Sequence, residues 1–399
     1  MHLILLIMLL LIYQNLRQKW LNTLLCLFLL MLATAMMVVT MQIQQQMETQ
    51  QKQNIADIDL VVGAKGSPLQ LVLCNLFHID YPTGNIPLTE AQRLAHLPAV
   101  AKSHFLSLGD AYQSYRIVGC DSTYPSLYQL KMAQGREARQ ALEAIIGAKV
   151  AQETGLRVGD SFQSAHGLEE VSEEKEEHEA HTYQVVGIAA PTNRIADALI
   201  FTPLESIWQV HEIEKEDSTK EITALLLTFK GAMGAMTVPR MINEQTQLQA
   251  ASPAFELARL NELMGNGFAL MQQFAYLLWV LSGISIFVFM YLAIQERQYD
   301  LAILRVMGAS RAYTFHLTWL EALSLATVGS LFGIMLGHFL LYFLSQNLAE
   351  TWHYPFLWTK LMYEESYCLF LNLGIAFVAA LFPAIQAYRI EIAKQLSHK

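Results

Sequence analysis

The chain has 399 residues, of which 53% are hydrophobic and only 15% charged, with a formal net charge of −9. A soluble globular chain carries about a quarter charged residues, so this deficit points to lipid-facing segments. The 28 acidic and 17 basic residues between Glu48 and Glu262 put the negative charge in the middle of the chain, which excludes the basic surface a nucleic-acid binder needs.

Met1 to Tyr13 is apolar but too short to cross a bilayer. It is expected to form an interfacial helix that continues through Arg17, Lys19 and Trp20 into a first span at Leu21–Met41. A cleaved signal peptide would use Leu21 to Leu32 as its apolar core and Ala33-Thr-Ala35 as its cleavage site. The apolar run continues through Val39, however, so a retained helix is expected. Gln42 to Gln53 is polar and helix-favouring, and extends the first span.

Residues 46–265 form a unit of ordinary domain size. Asp57 to Val62 alternates like a strand. Gly63-Ala-Lys-Gly66 turns the chain, and Ser67-Pro68 caps a helix over Leu69–Phe77. The two glycines lack the Walker spacing and the Lys-Ser/Thr that follows it, so the turn is structural. Tyr115 to Gly119 and Tyr183 to Ile188 read as strands, Glu143 to Thr154 as a helix closed by Gly155, and Leu156 to Phe162 as the start of another strand. The domain is therefore α+β.

Cys26, Cys74, Cys120 and Cys368 form no CxxC pair, which excludes a zinc ribbon. Cys74 and Cys120 share the middle domain, and a disulfide between them stays open. Between His166 and His181 lie seven glutamates with His166, His178 and His181. Such a block makes a solvated spacer, while imidazoles beside carboxylates can hold a transition ion such as zinc; both readings stand. On a helix, the i,i+3 spacing of His178 and His181 would share one face.

Three further spans are expected at 274–294, 317–344 and 367–388. Basic residues flank them asymmetrically: Arg17 and Lys19 before the first, Arg297, Arg305 and Arg311 between the second and third, Arg389, Lys394 and Lys399 after the fourth. Both termini and the 295–311 connection are thus expected in the cytoplasm, with the large domain outside. In that connection Leu301, Leu304 and Met307 recur at i, i+3 and i+6, Gly308 suits a helix end, and Ser310 can cap the next helix. Gly329, Gly333 and Gly337 line one face of the third span and invite close helix packing. Glu321, about one turn inside that span, must snorkel or pair, for example with Arg305 or Arg311.

Arg297, Asp300-Leu-Ala-Ile-Leu-Arg305 and Gly308-Ala-Ser-Arg311, with Glu321-Ala322 and the glycine-spaced third span, resemble the FtsX/MacB-like permeases of ABC transporters, whose usual form is R-x-x-E-I-A-I-L-R-A-L-G-A-S-R. Phe382-Pro-Ala-Ile-Gln-Ala-Tyr-Arg389 is similar to the ending of their last span, and Asp59-Leu-Val-Val-Gly63 to their periplasmic core; the usual D-P motif is replaced by Ile390-Glu-Ile392. The resemblance implies a non-enzymatic permease of the inner (plasma) membrane that binds no cofactor itself. It implies dimerisation with a second copy, a separate cytoplasmic ABC ATPase using ATP and Mg, and motion passed to the outer domain for export or extraction of a substrate. A periplasmic adaptor or substrate-binding protein and surrounding lipid complete the implied partners. In that family, residues Arg297, Asp300, Leu301, Leu304, Arg305, Met307, Gly308, Ala309, Ser310 and Arg311 would dock the ATPase. A histidine-bearing loop is also similar to that of permeases of zinc-responsive systems, which implies metal-linked cargo. The competing reading is a membrane receptor that senses a ligand or metal with its outer domain.

Overall fold

A computed structural model describes residues 2–55, 57–166, 177–211, 220–352 and 357–390. The chain forms two compact units. One comprises Met1–Gln46, Met264–Asn347 and Phe356–Lys399; the other comprises Met47–Leu263 and Leu348–Pro355.

The first unit is helical. It begins with α1 (His2–Gln18) and α2 (Trp20–Ile55). The expected single run into the first span is broken at Lys19. The Thr23 hydroxyl donates to the Leu16 carbonyl at 3.0 Å, occupying an acceptor near the end of α1, and the Thr23 amide restarts the ladder on the Lys19 carbonyl at 3.0 Å. The polar stretch after Met41 is helical within α2, as its composition suggests.

In the second unit, β1 (Leu60–Ala64) leads into α3 (Pro68–Leu76), which opens as expected: the Ser67 side chain accepts from the Gln70 amide, and Pro68 stands in the first turn. A Cβ on Gly63 would come within 2.5 Å of Leu71 Cδ1, so glycine there lets α3 lie against β1. The chain continues through β2 (Ile86–Pro87), α4 (Leu88–Ala95), β3 (Val100–Tyr112), β4 (Tyr115–Cys120) and β5 (Met132–Gly135).

The expected helix over Glu143–Thr154 is two elements, β6 (Glu143–Ile146) and α5 (Ala148–Thr154), the latter closed by Gly155 at φ +74°. All four residues of β6 are buried, and burial on both faces selects a central strand with a continuous apolar run. Gly147 makes the corner, where a Cβ would sit 2.3 Å from the Asp197 carbonyl oxygen.

There follow β7 (Ser161–His166), β8 (Glu177–Ala189), β9 (Leu199–Pro203), α6 (Leu204–Val210), β10 (Glu221–Ile222), β11 (Ala224–Phe229), α7 (Ala232–Gln245) and β12 (Leu248–Ala251). The main sheet runs β12-β1-β11-β3-β4-β9-β6-β8-β5, with β7 bridging β3 and β8. Most pairs are antiparallel, but β4 pairs with β9 and β6 with β8 in parallel.

One core gathers Val61, Leu71, Cys74, Leu106, Tyr124, Tyr128 and Phe201. Within it the Tyr124 and Tyr128 hydroxyls are 2.9 Å apart, and His78 Nε2 lies 3.3 Å from the Tyr124 hydroxyl. Cys74 and Cys120 are separate buried thiols, and Cys74 Sγ accepts from the buried Arg116 at 3.3 Å.

The chain returns to the helical unit along α8 (Pro253–Val306), then α9 (Arg311–Trp352) and α10 (Glu365–Arg389). Gln51 of α2 and Asn261 of α8 exchange amide hydrogen bonds at 2.8 and 3.0 Å. Among the described residues, α2, α8, α9 and α10 each have the length and apolarity to cross a membrane.

Their packing follows the small residues. The glycines of α9 receive α2: a Cβ on Gly329 would lie 2.8 Å from Leu30 Cβ, on Gly333 2.5 Å from Thr34 Cβ, and on Gly337 2.9 Å from Val38 Cγ1. Where lipid supplies no hydrophobic drive between helices, such close approach supplies the dispersion energy. At the same level Asn372 of α10 donates to both the Thr34 and Ser330 hydroxyls at 2.8 Å, tying three helices inside the apolar bundle.

Candidate functional site

The motif-bearing connection lies between α8 and α9. Residues 295–306 are the last turns of α8. The helix ends in a closed double hydrogen bond: the Gly308 amide donates to the Arg305 carbonyl at 3.1 Å and the Ala309 amide to the Leu304 carbonyl at 3.0 Å, with Gly308 at φ +106°. This is the six-to-one and five-to-two pairing of a left-handed helix stop, which glycine permits at least cost. Two residues on, the Ser310 hydroxyl accepts from the Tyr313 amide at 3.1 Å and starts α9. The turn is therefore short and fixed at both ends.

The ten residues that the motif nominates divide into two sets. Leu301 is buried with Ala302 against Ile294, Ala387 and Ile390, and Leu304 packs half-buried on the same cluster. Arg305 donates to the Ile390 carbonyl, so it braces the end of α10. Ala309 is half-buried, whereas Asp300, Met307, Gly308, Ser310 and Arg311 face outward. The apolar face expected to carry Leu301, Leu304 and Met307 together is thus split, because α10 of the same chain already covers its first two members. The outward apolar surface is Val306 and Met307, 61% and 71% exposed, with the exposed Tyr299 about two turns earlier on α8. Val306 and Tyr299 were hidden from a periodicity reading, since nothing in the spacing reveals which face α10 takes.

Glu321 corrects a second expectation. It pairs with neither Arg305 nor Arg311. Its carboxylate lies 3.3 Å from Arg297 Nη1, with the two side chains 5% and 15% exposed. Arg297 Nη2 also donates to the Asn15 carbonyl at 3.2 Å, and Asn15 Nδ2 reaches Glu321 at 3.5 Å. Lys19 meets Glu296 at 2.5 Å beside this cluster. Removing one member of a buried pair costs about 3–5 kcal/mol, because the other charge is left uncompensated.

A second polar cluster occupies the far half of α9. The His338 ring bridges the Trp358 carbonyl at 2.6 Å and the Glu365 carboxylate at 3.1 Å, and Gln42 donates to Glu365 at 2.6 Å and to the Lys360 carbonyl at 2.7 Å. No sequence motif announces it.

For the histidine-rich segment, residues 167–176 and the side chains of His166, His178 and His181 lie outside the described residues. Their backbone places His166 at the end of β7, across from Asp110 of β3. His178 and His181 lie in β8, so the shared helical face does not exist; pairing with β7 holds this stretch extended. Among the described residues, no group of three or more His, Cys, Asp or Glu is placed to hold a metal.

Four helices long and apolar enough to cross a membrane, with an α+β domain inserted between the first and second of them, define a polytopic membrane protein. Residues 22–238 match the MacB-like periplasmic core domain, and residues 273–392 match the FtsX-like permease C-terminal domain. The chain belongs to the FtsX/MacB-like family of ABC transporter permeases.

Three solved structures are similar to it. The periplasmic region of MacB from Actinobacillus actinomycetemcomitans has 10% identity over 53% of this chain and 97% of its own, with a TM-score of 0.34. The extracellular domain of the noncanonic ABC-type transporter YknZ from Gram-positive bacteria has 13% identity over 49% and 99%, with a TM-score of 0.32. A domain of a putative permease from Porphyromonas gingivalis has 10% identity over 50% and 89%, with a TM-score of 0.25. A comparison with curated proteins returned no match.

Proposed function

We propose that this chain is the transmission subunit of an inner-membrane ABC transporter, in which a separate cytoplasmic ATPase docks on the α8–α9 turn and its nucleotide-driven motion reaches the extracytoplasmic domain. The observation that carries the reading is the turn itself: Val306 and Met307 stand exposed on a backbone fixed by Gly308 and Ser310. Rigid apolar anchors rimmed by charge, here Asp300 and Arg311, suit a partner groove. The basic flanks Arg17, Lys19, Arg297, Arg305 and Arg311 support a cytoplasmic position for this end of the bundle. The permease acts as a pair of identical copies, and its cargo is exported or extracted rather than chemically changed.

The test is affinity purification in mild detergent of the wild-type chain and of Met307→Asp. An aspartate pressed into an apolar groove without a partner costs about 1–3 kcal/mol, so ATPase recovery and permease-stimulated hydrolysis should fall about tenfold or more. Met307 makes no core contact, and the variant should keep its thermal midpoint. Undiminished stimulation in Met307→Asp would remove the turn as the docking site. A wild-type chain that reproducibly brings down no ATPase would favour the receptor reading.

A further inference from the structure

We propose that Arg297, Glu321 and Asn15 are positioning residues that clamp the first helix to the coupling turn, so that α1, the end of α8 and the start of α9 move as one body; the functional consequence rests on the docking reading above. The motif groups Arg297 with residues that would face an ATPase, yet its guanidinium turns inward and is only 15% exposed. One end of it meets Glu321 of α9, and the other meets the Asn15 carbonyl of α1. Asn15 closes the triangle through its amide to the same carboxylate, so each of three helices supplies one corner.

The apolar contacts run the same way. Met8 and Ile12 of α1 are buried against Leu317, with Leu11, Leu16, Tyr313 and Leu320 around them. These α9 residues belong to the first turns after the capped Ser310, the segment closest in sequence to the exposed tip. Lys19, at the break between α1 and α2, adds a contact to Glu296, the neighbour of Arg297. A buried ion pair adds little net stability over an apolar filling of the same shape, so geometry is the better account of its presence. Any rotation of the tip that left α1 behind would break both Asn15 hydrogen bonds and leave an Arg297 donor and a Glu321 oxygen of the buried pair unsatisfied. The Asn15 corner therefore favours joint movement.

The test uses the whole 399-residue chain in detergent, with spin labels on two exposed positions, Tyr13→Cys on α1 and Asp300→Cys on α8. The unaltered clamp should give one narrow distance distribution. Glu321→Gln should broaden it at least twofold, and the exchanged pair Arg297→Glu with Glu321→Arg should narrow it again. Should Glu321→Gln fail to accumulate, Asn15→Ala removes the side-chain amide contact to Glu321 without changing charge, while keeping the backbone carbonyl that Arg297 meets, and should broaden the distribution in the same direction. With the ATPase present, Glu321→Gln should bind it as wild type does but lose most of the stimulation of hydrolysis, a separation that general loosening of the bundle would not produce.

Distributions as narrow in Glu321→Gln and Asn15→Ala as in wild type would overturn the clamp. The distance measurement needs no ATPase, so a wild-type chain without that partner would sink the docking reading while the clamp was still decided.

Discussion

His78 follows the end of α3 at φ +53°, with its ring fully enclosed against Tyr124. Burial pushes its imidazole down to about 3 from the usual 6.5, and the nearby Arg116 guanidinium adds to the shift. The folded state therefore keeps it neutral where the unfolded chain takes up a proton. Its contribution is whole above about pH 6.5 and is lost as pH falls toward about 3, at about 1.4 kcal/mol per pH unit inside that window. His78→Asn accepts the left-handed backbone and does not titrate. Between pH 6.5 and 4.5 the variant should lose less stability on acidification than wild type. Trp208 is the one tryptophan between residues 47 and 263, so urea unfolding read by fluorine-labelled tryptophan isolates this domain. Parallel pH slopes for the two proteins would refute the assignment. Other residue-scale features were legible because they are local. Gly308 and Ser310 announce a helix stop and a cap within a few positions of the turn they form. The Glu321 partner was not, since Arg297 lies on another helix and only packing decides which of several nearby arginines turns inward.

At the scale of elements, the three glycines of α9 promised close packing, and the bundle shows what they receive: Leu30, Thr34 and Val38 of α2. Gly333→Ala would place a methyl 2.5 Å from Thr34 Cβ and 2.9 Å from the Met31 carbonyl oxygen. That backbone oxygen cannot move aside alone, so the two helices must separate, at about 1–3 kcal/mol. Gly374→Ala on α10 meets nothing within 4 Å and serves as the control. The thermal midpoint in detergent should drop for the first and hold for the second; equal midpoints would mean that α2 and α9 do not pack this tightly. The glycine pattern was readable because a four-residue repeat is a property of one helix. The β6 strand was not, because Glu143 to Ile146 has no alternation to show: a strand buried on both faces looks, over four residues, like a turn of buried helix. The inward face of residues 295–306 escaped for a related reason, as α10, which covers Leu301 and Leu304, lies far along the chain.

Across the whole molecule, both compact units draw on the same two helices. The boundary at 46/47 falls inside α2 and the boundary at 263/264 inside α8. With 54 residues, α8 measures about 80 Å at 1.5 Å per residue, and it ends at the exposed tip. Its alternatives to rigidity are Gly265 and Gly267, near the boundary, where an added Cβ would meet nothing within 4 Å. If motion at the α8–α9 turn reaches the outer domain along this rod, stiffening the helix should be harmless and softening it should not. Gly265→Ala with Gly267→Ala relieves about 1 kcal/mol of helix penalty per site and should leave transmission intact. Two glycines inserted after Gly265 should leave ATPase binding and hydrolysis near wild type while abolishing the nucleotide-dependent signal of a fluorescent probe on Met236→Cys, an exposed position of the outer domain. A full probe response in the insertion variant would show that α8 is not the conduit and would move attention to α2. Loss of response in the double alanine variant would show instead that the two glycines must bend during the cycle.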